Sequence, residues 1–128
     1  DVPEVGLVIH FDYPTNHKVF VHRSGRTARK GAVGHTIALI NHSEIPYMIE
    51  LCRIVGRKLQ TNRTESDKDA CYYGWIPDTV LREYEEYVLK TLREDDELRT
   101  MNDTAEKAME KFRKCRTPAS NHSLRQAK

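Results

Sequence analysis

The chain has 128 residues, with 21 Lys and Arg against 19 Asp and Glu and a formal net charge of +2. That length suits one domain, and so small a net charge does not mark a nucleic-acid binder, so any such reading must rest on local clusters. Hydrophobic content of 38% with 31% charged residues exceeds the usual charged share of about 25% and predicts some solvated helix or tail. Cys52, Cys71 and Cys115 are far apart, with no C-x-x-C pair, which fits reduced thiols in an intracellular, non-secreted protein and not a disulfide framework or a zinc site. Sequons at Asn41, Asn62, Asn102 and Asn121 read as chance in that setting. No stretch approaches the roughly 18 apolar residues of a membrane span, and no signal peptide opens the chain. Asp1-Val2-Pro3 runs almost directly into a buried-looking strand, so a fragment of a longer protein is expected.

In chain order, VGLVIHF at 5–11 is a nearly continuous apolar run. It suits a parallel strand covered on both faces, although so short a run also fits a buried helix segment. Asp12-Tyr13-Pro14 ends it. HTIALI at 35–40, entered through Gly31 and Gly34, is a second run of this kind. The intervening segment is long enough for a crossover helix, capped by Thr15 or Asn16. Ile45, Met48, Ile49, Cys52 and Val55 keep a helical spacing and predict a helix over 44–59. QTNRTESDKDA is polar and reads as a loop or linker. Two helices follow: Val80, Leu81, Tyr84, Tyr87, Val88 and Thr91 form one stripe, and Leu98, Met101, Ala105, Ala108 and Phe112 form the other. Core packing is the expected role of both. Residues 107–128 carry seven bases against one acid, and CRTPASNHSLRQAK, lacking a hydrophobic face, is expected to be an extended tail.

Between the two apolar runs lies HRSGRTARKG, with Arg23, Arg26, Arg29 and Lys30 and no acid among them. Clustered cations repel unless an anion or partner surface receives them. Taken in order, these blocks resemble the second RecA-like lobe of the DEAD-box RNA helicases. Asp1-Val2-Pro3 is similar to the end of motif V, and VGLVIHFDYP to the strand after it. His22-Arg23-Ser24-Gly25-Arg26-Thr27-Ala28-Arg29 is similar to motif VI, with the glycine-spaced loop and HTIALI as the last strand. Ser24, Lys30 and His10 depart from the commoner residues but remove no charged group from the motif.

The resemblance implies an α/β fold: a partial second RecA-like lobe, parallel strands with crossover helices, followed by a helical extension and basic tail. The expected divisions are 1–59 for the lobe, 60–76 for a linker and 77–128 for the extension. It implies that Arg26 and Arg29 are catalytic arginine fingers reaching ATP. Asp1 approaches the ribose, and His22, Arg23 and Gly25 couple the two lobes. Arg suits phosphoryl transfer because its planar, permanently charged fork binds phosphate oxygens in pairs. On a helix, Arg26 and Arg29 would share one face. Arg23 is balanced between that role and a structural salt bridge. The sequence contains no G-x-x-x-x-G-K-[ST] loop and no Asp-Glu-Ala-Asp run. Mg²⁺ and most of the ATP contacts are thus expected from a first lobe, and the chain alone is expected to be inactive.

The second half, from EIPYMIEL through YYGWIP to TAEKAMEKFRKCRTPASNHSLRQAK, resembles a nucleolar branch of that family acting in large ribosomal subunit assembly. It implies a nuclear, nucleolar and monomeric protein whose partners are pre-ribosomal RNA and assembly factors. Lys30, Lys111, Arg113, Lys114, Arg116, Arg125 and Lys128 are the candidate RNA contacts, with a solvated basic surface as the plainer reading. The alternatives are an RNA- or protein-binding module that has lost ATPase activity, a DNA translocase, and a structural fragment capping a larger assembly.

Overall fold

The computed structural model describes residues 5–28, 31–61 and 70–127. Two compact units emerge: residues 1–72 with 117–128, and residues 73–116.

The first unit is built on a parallel pair, β1 (Leu7–His10) and β2 (His35–Ala38), with Leu7 opposite His35 and His10 opposite Ala38. Backbone bonds from His35 N–H to the Gly6 carbonyl (2.9 Å) and from Leu39 N–H to the His10 carbonyl (3.0 Å) hold its two ends. The expected crossover helix is α1 (His17–Ser24), and Asn16 is its cap, with Oδ1 accepting from Val19 N–H at 3.0 Å. After β2, a short 3₁₀ turn at His42–Glu44 leads into α2 (Ile45–Ile54), with Pro46 in its first turn. This helix is shorter than the 44–59 expected. Gly56 takes a left-handed φ of 70°, which glycine adopts without a Cβ penalty. Its N–H reaches the Arg53 carbonyl, while Arg57 N–H reaches that of Cys52 at 2.9 Å. This paired bond pattern ends the helix firmly. Two very short strands, β3 (Leu59–Gln60) and β4 (Cys71–Tyr72), then pair in parallel across the stretch read as a linker, of which 62–69 lie outside the described residues. These parallel strands and helices form a partial RecA-like α/β lobe with a helical extension.

The strand faces correct one expectation. Leu7, Ile9 and Ile37 are half exposed, because among the described residues the sheet has only two strands and few elements lie over it. Burial falls instead on a mixed cluster. Tyr13 is buried, its ring centroid is 5.8 Å from that of Phe20, and its hydroxyl donates to the Tyr47 carbonyl at 3.3 Å.

The end of the chain is the larger surprise. The expected extended tail folds into α5 (Asn121–Gln126), which packs against α2. Glu50 on α2 accepts the Ser120 N–H at 3.0 Å, and Ser120 caps α5 by accepting from Ser123 N–H. Ser123 is fully buried and its hydroxyl lies 3.0 Å from that of Ser120. With its own cap bond made, a small hydroxyl can be buried at little cost.

The second unit contains α3 (Asp78–Glu94) and α4 (Asp96–Cys115), joined at Asp95, whose carboxylate accepts from Glu97 and Leu98 N–H to cap α4. Neither helix has a buried residue. The stripes expected to form core are largely exposed, at 63% for Tyr84, 69% for Tyr87 and 60% for Met101. A hairpin offers each amphipathic helix a single partner, so much of each apolar face remains open.

Candidate functional site

The basic motif begins on the last turn of α1 and continues past its end. His22, Arg23 and Ser24 are helical. Gly25 closes the turn, its N–H donating to the Val21 carbonyl at 2.8 Å. A Cβ at Gly25 would stand 3.2 Å from that carbonyl, so the space Gly25 leaves is used by the helix end itself. Arg26 follows the helix, and the helical face that Arg26 and Arg29 were expected to share therefore does not exist at Arg26. Gly25 is the one local signal of this exit in HRSGRTAR, because glycine commonly ends a helix.

What replaces the helix is a pinned turn. Arg26 N–H donates to the Arg23 carbonyl at 3.1 Å, and both Thr27 N–H and Thr27 Oγ1 donate to the Ser24 carbonyl at 3.0 Å. Thr27 is buried and forms a parallel bridge with Val5. Gly34 presses on it from the other side, where a Cβ would overlap the Thr27 side chain. Ala28 is held at φ 56°, a left-handed conformation that costs a non-glycine residue about 1 kcal/mol or more. Packing at Thr27 therefore fixes the backbone on either side of it.

Arg26 itself is braced by His22. Its Nη2 lies 2.6 Å from His22 Nε2, and its Nε donates to the His22 carbonyl at 3.4 Å. Arginine has only donors, so His22 Nε2 is the acceptor in this contact. Both residues remain exposed. Arg23, His22 and Arg26 line an open concavity of about 510 Å³ with Val8, Ile9, His10, Phe11 and Asp12 from the end of β1. Its lining sets the permanent charges of Arg23 and Arg26 against the one acidic residue Asp12, a balance that suits an anion with several oxygens. Asp1, Arg29 and Lys30, placed in the site by sequence, lie outside the described residues.

His10 is a residue that sequence reasoning treated only as a departure. It is 3% exposed, stacks on Phe20 with ring centroids 4.3 Å apart, and its Nε2 lies 3.1 Å from Ser24 Oγ. It thus ties the end of β1 to the middle of the basic motif. Burial, and then the nearby Arg23 charge, lower its pKa from 6.5. The folded ring holds a proton less tightly than the unfolded one, so the stability it contributes is full above about pH 6.5 and is lost as pH falls below that. The signal available in sequence was the pairing of two departures, His10 and Ser24.

The candidate RNA contacts separate into groups. Lys111, Arg113 and Lys114 are exposed on the last turns of α4, with Lys114 Nζ 2.7 Å from Glu110 Oε1. Arg125 is exposed on α5. Arg116 is a correction: it is 9% exposed, with its guanidinium carbon 5.9 Å from the Phe112 ring centroid, so it is not a solvent-facing cation. Lys128 lies outside the described residues. Among the described residues no group of three or more His, Cys, Asp or Glu is placed to hold a metal ion, and no helix is long and apolar enough to cross a membrane.

Comparison with known proteins agrees with the motif order. Residues 1–31 match the model of the helicase conserved C-terminal domain. Over its full length the chain is 37% identical to the ATP-dependent RNA helicase ddx54 of Dictyostelium discoideum, covering 12% of that protein. It is 33% identical to the ATP-dependent RNA helicase DBP10 of Ajellomyces capsulatus, covering 15% of it, and 28% identical to DBP10 of Candida albicans, covering 16%. The chain therefore spans well under a fifth of the length of these relatives. With motif VI standing on a parallel β-α-β unit and similarity continuing through the helical extension, the chain belongs to the DEAD-box RNA helicases as a C-terminal helicase segment of the branch these relatives represent.

Proposed function

We propose that this segment supplies half of the ATPase site of an ATP-dependent RNA helicase. Arg26, with Arg29, meets the γ-phosphate of ATP held by the first lobe, with Asp1 near the ribose. Arg23 and Arg26 in the concavity's lining suit a phosphate ligand, whereas Mg²⁺ belongs to acidic groups of the other lobe. When charge shifts onto the γ-phosphate oxygens, a pre-positioned guanidinium stabilises it without reorganising. The observation that carries the reading is the pinned turn at Arg26. A merely solvated arginine needs neither the Thr27 packing nor the His22 brace. His22, Arg23 and Gly25 then transmit closure between lobes, and the chain alone does not turn over ATP.

In the parent protein this activity serves local RNA duplex remodelling. The similarity to the ddx54 and DBP10 relatives supports a nucleolar protein working on pre-ribosomal RNA during ribosome assembly. Lys111, Arg113, Lys114 and Arg125 are suited by exposure to contact RNA or assembly factors. Lys30 and Lys128 join them by sequence alone.

The test is Arg26→Ala in the intact parent protein, with RNA-stimulated ATP turnover and RNA affinity measured side by side. The expected loss of turnover is about 10³-fold or more, on the scale of a trans-acting arginine finger, with affinity changed only a few-fold. Equal loss of both sinks the finger role. A parent protein with no ATP turnover before mutation would instead identify an RNA- or protein-binding module.

A further inference from the structure

Cys52 and Cys71 stand apart from the cationic site and are brought together by the backbone. Cys52 lies near the end of α2 and is 4% exposed. Its carbonyl accepts the Arg57 N–H at 2.9 Å in the turn that Gly56 makes. One residue later, the Lys58 carbonyl accepts the Cys71 N–H at 2.8 Å, and Leu59 pairs with Cys71 in the β3–β4 register. These bonds hold Cys71 against the end of α2. Both thiols are free, and each shifts the other's acidity.

We propose that Cys52 and Cys71 are a redox modification site, closing to a reversible disulfide by exchange with a low-molecular-weight disulfide such as oxidised glutathione. Cys71 is the attacking group and Cys52 the resolving one. The Cys52 thiol brings the pKa of the half-buried Cys71 down from 9.0 to about 7; burial opposes this and the Arg57 charge assists. An attacking thiol is most effective with a pKa near ambient pH. The buried Cys52 thiol is pushed up in turn, so it stays protonated until Cys71 has reacted.

In the first step the Cys71 thiolate attacks one glutathione sulfur. The glutathione S–S bond breaks, one glutathione thiolate leaves, and a Cys71–glutathione disulfide forms. Cys52 then loses its proton to solvent, attacks the Cys71 sulfur and expels the second glutathione thiolate. Two protein thiols are oxidised and one glutathione disulfide is reduced to two thiols. A metal ion fits the pair poorly, because no third ligand of the usual kinds joins it among the described residues. The link would tie α2 to β4 directly before the chain enters the second unit after Tyr72.

The experiment equilibrates the reduced 128-residue chain in glutathione buffers of increasing oxidation and maps cysteines by non-reducing peptide mass spectrometry. The expected product is a Cys52–Cys71 crosslinked peptide, two hydrogens lighter than the thiol pair, reversed by excess reduced glutathione. Cys52→Ser should stop at the glutathione adduct on Cys71. A second readout needs no variant: iodoacetamide should alkylate Cys71 of the folded chain at pH 7 about tenfold faster than in the chain unfolded by denaturant. Stable adducts on Cys71 with no crosslink, crosslinks to Cys115, or no acceleration of Cys71 on folding would each overturn the proposal.

Discussion

The two units of this chain are held together by different means. Residues 1–72 with 117–128 bury His10, Tyr13, Thr27, Leu51, Cys52, Ala119 and Ser123, a set as polar as it is apolar. Residues 73–116 bury almost nothing on α3 or α4 and rely on a cap at Asp95 and exposed pairs such as Arg99 with Asp96 at 2.7 Å and Lys114 with Glu110. Buried polar contacts have one permitted geometry and fail together, whereas surface helix contacts fail singly and at small cost. A unit that must hold an arginine in place needs the first kind.

Substitutions can break that contrast, starting with the largest expected effect. Gly34→Ala should drive a methyl group into Thr27 and destabilise the first unit by about 1–3 kcal/mol or more. Hydrogen exchange should rise at β1, α1 and β2 while α3 and α4 stay unchanged; a uniform rise would mean the units are not separate. Glu50→Ala should leave Ser120 N–H without its acceptor and cost about 1–3 kcal/mol, read as loss of protection in α5 before α2. Protection of α5 equal to that of the parent chain would remove Glu50 as its anchor. In the second unit, Asp95→Ala deletes the α4 cap and should cost about 1 kcal/mol, visible as fraying of the first turn of α4 by amide exchange. Smallest of all, Arg99→Ala should change denaturation by no more than about 0.5 kcal/mol. A larger loss would show that the exposed pair contributes more than its setting allows.

The same contrast explains how much was legible in the sequence. β1, β2 and the Asn16 cap were readable because apolar runs and a cap side chain are local signals. The exit of Arg26 from α1 was signalled only by Gly25, and the turn it enters was not legible, since it depends on packing of Thr27 with Gly34 and on a bridge to Val5 in an earlier segment. Nor was α5: its sequence has no apolar stripe because its anchor is a carboxylate on Glu50 and a buried hydroxyl on Ser123. The stripes of α3 and α4 were readable as helices but misleading as core, because periodicity reports a face without reporting what covers it. Of the site residues, His22, Arg23 and Arg26 line one concavity, and His10 was found only through its stacking and its bond to Ser24.

The Glu50 to Ser120 bond joins residues 70 positions apart in the chain. The whole α3–α4 hairpin is therefore an insertion between two parts of one folding unit. During synthesis, α2 emerges early and waits for α5 until the hairpin has been made. The closure entropy of so long a loop grows only logarithmically with its length, so a longer or shorter hairpin would be tolerated at little cost. Chain termination within the hairpin would carry its penalty elsewhere, leaving the arginine-bearing unit without its last piece.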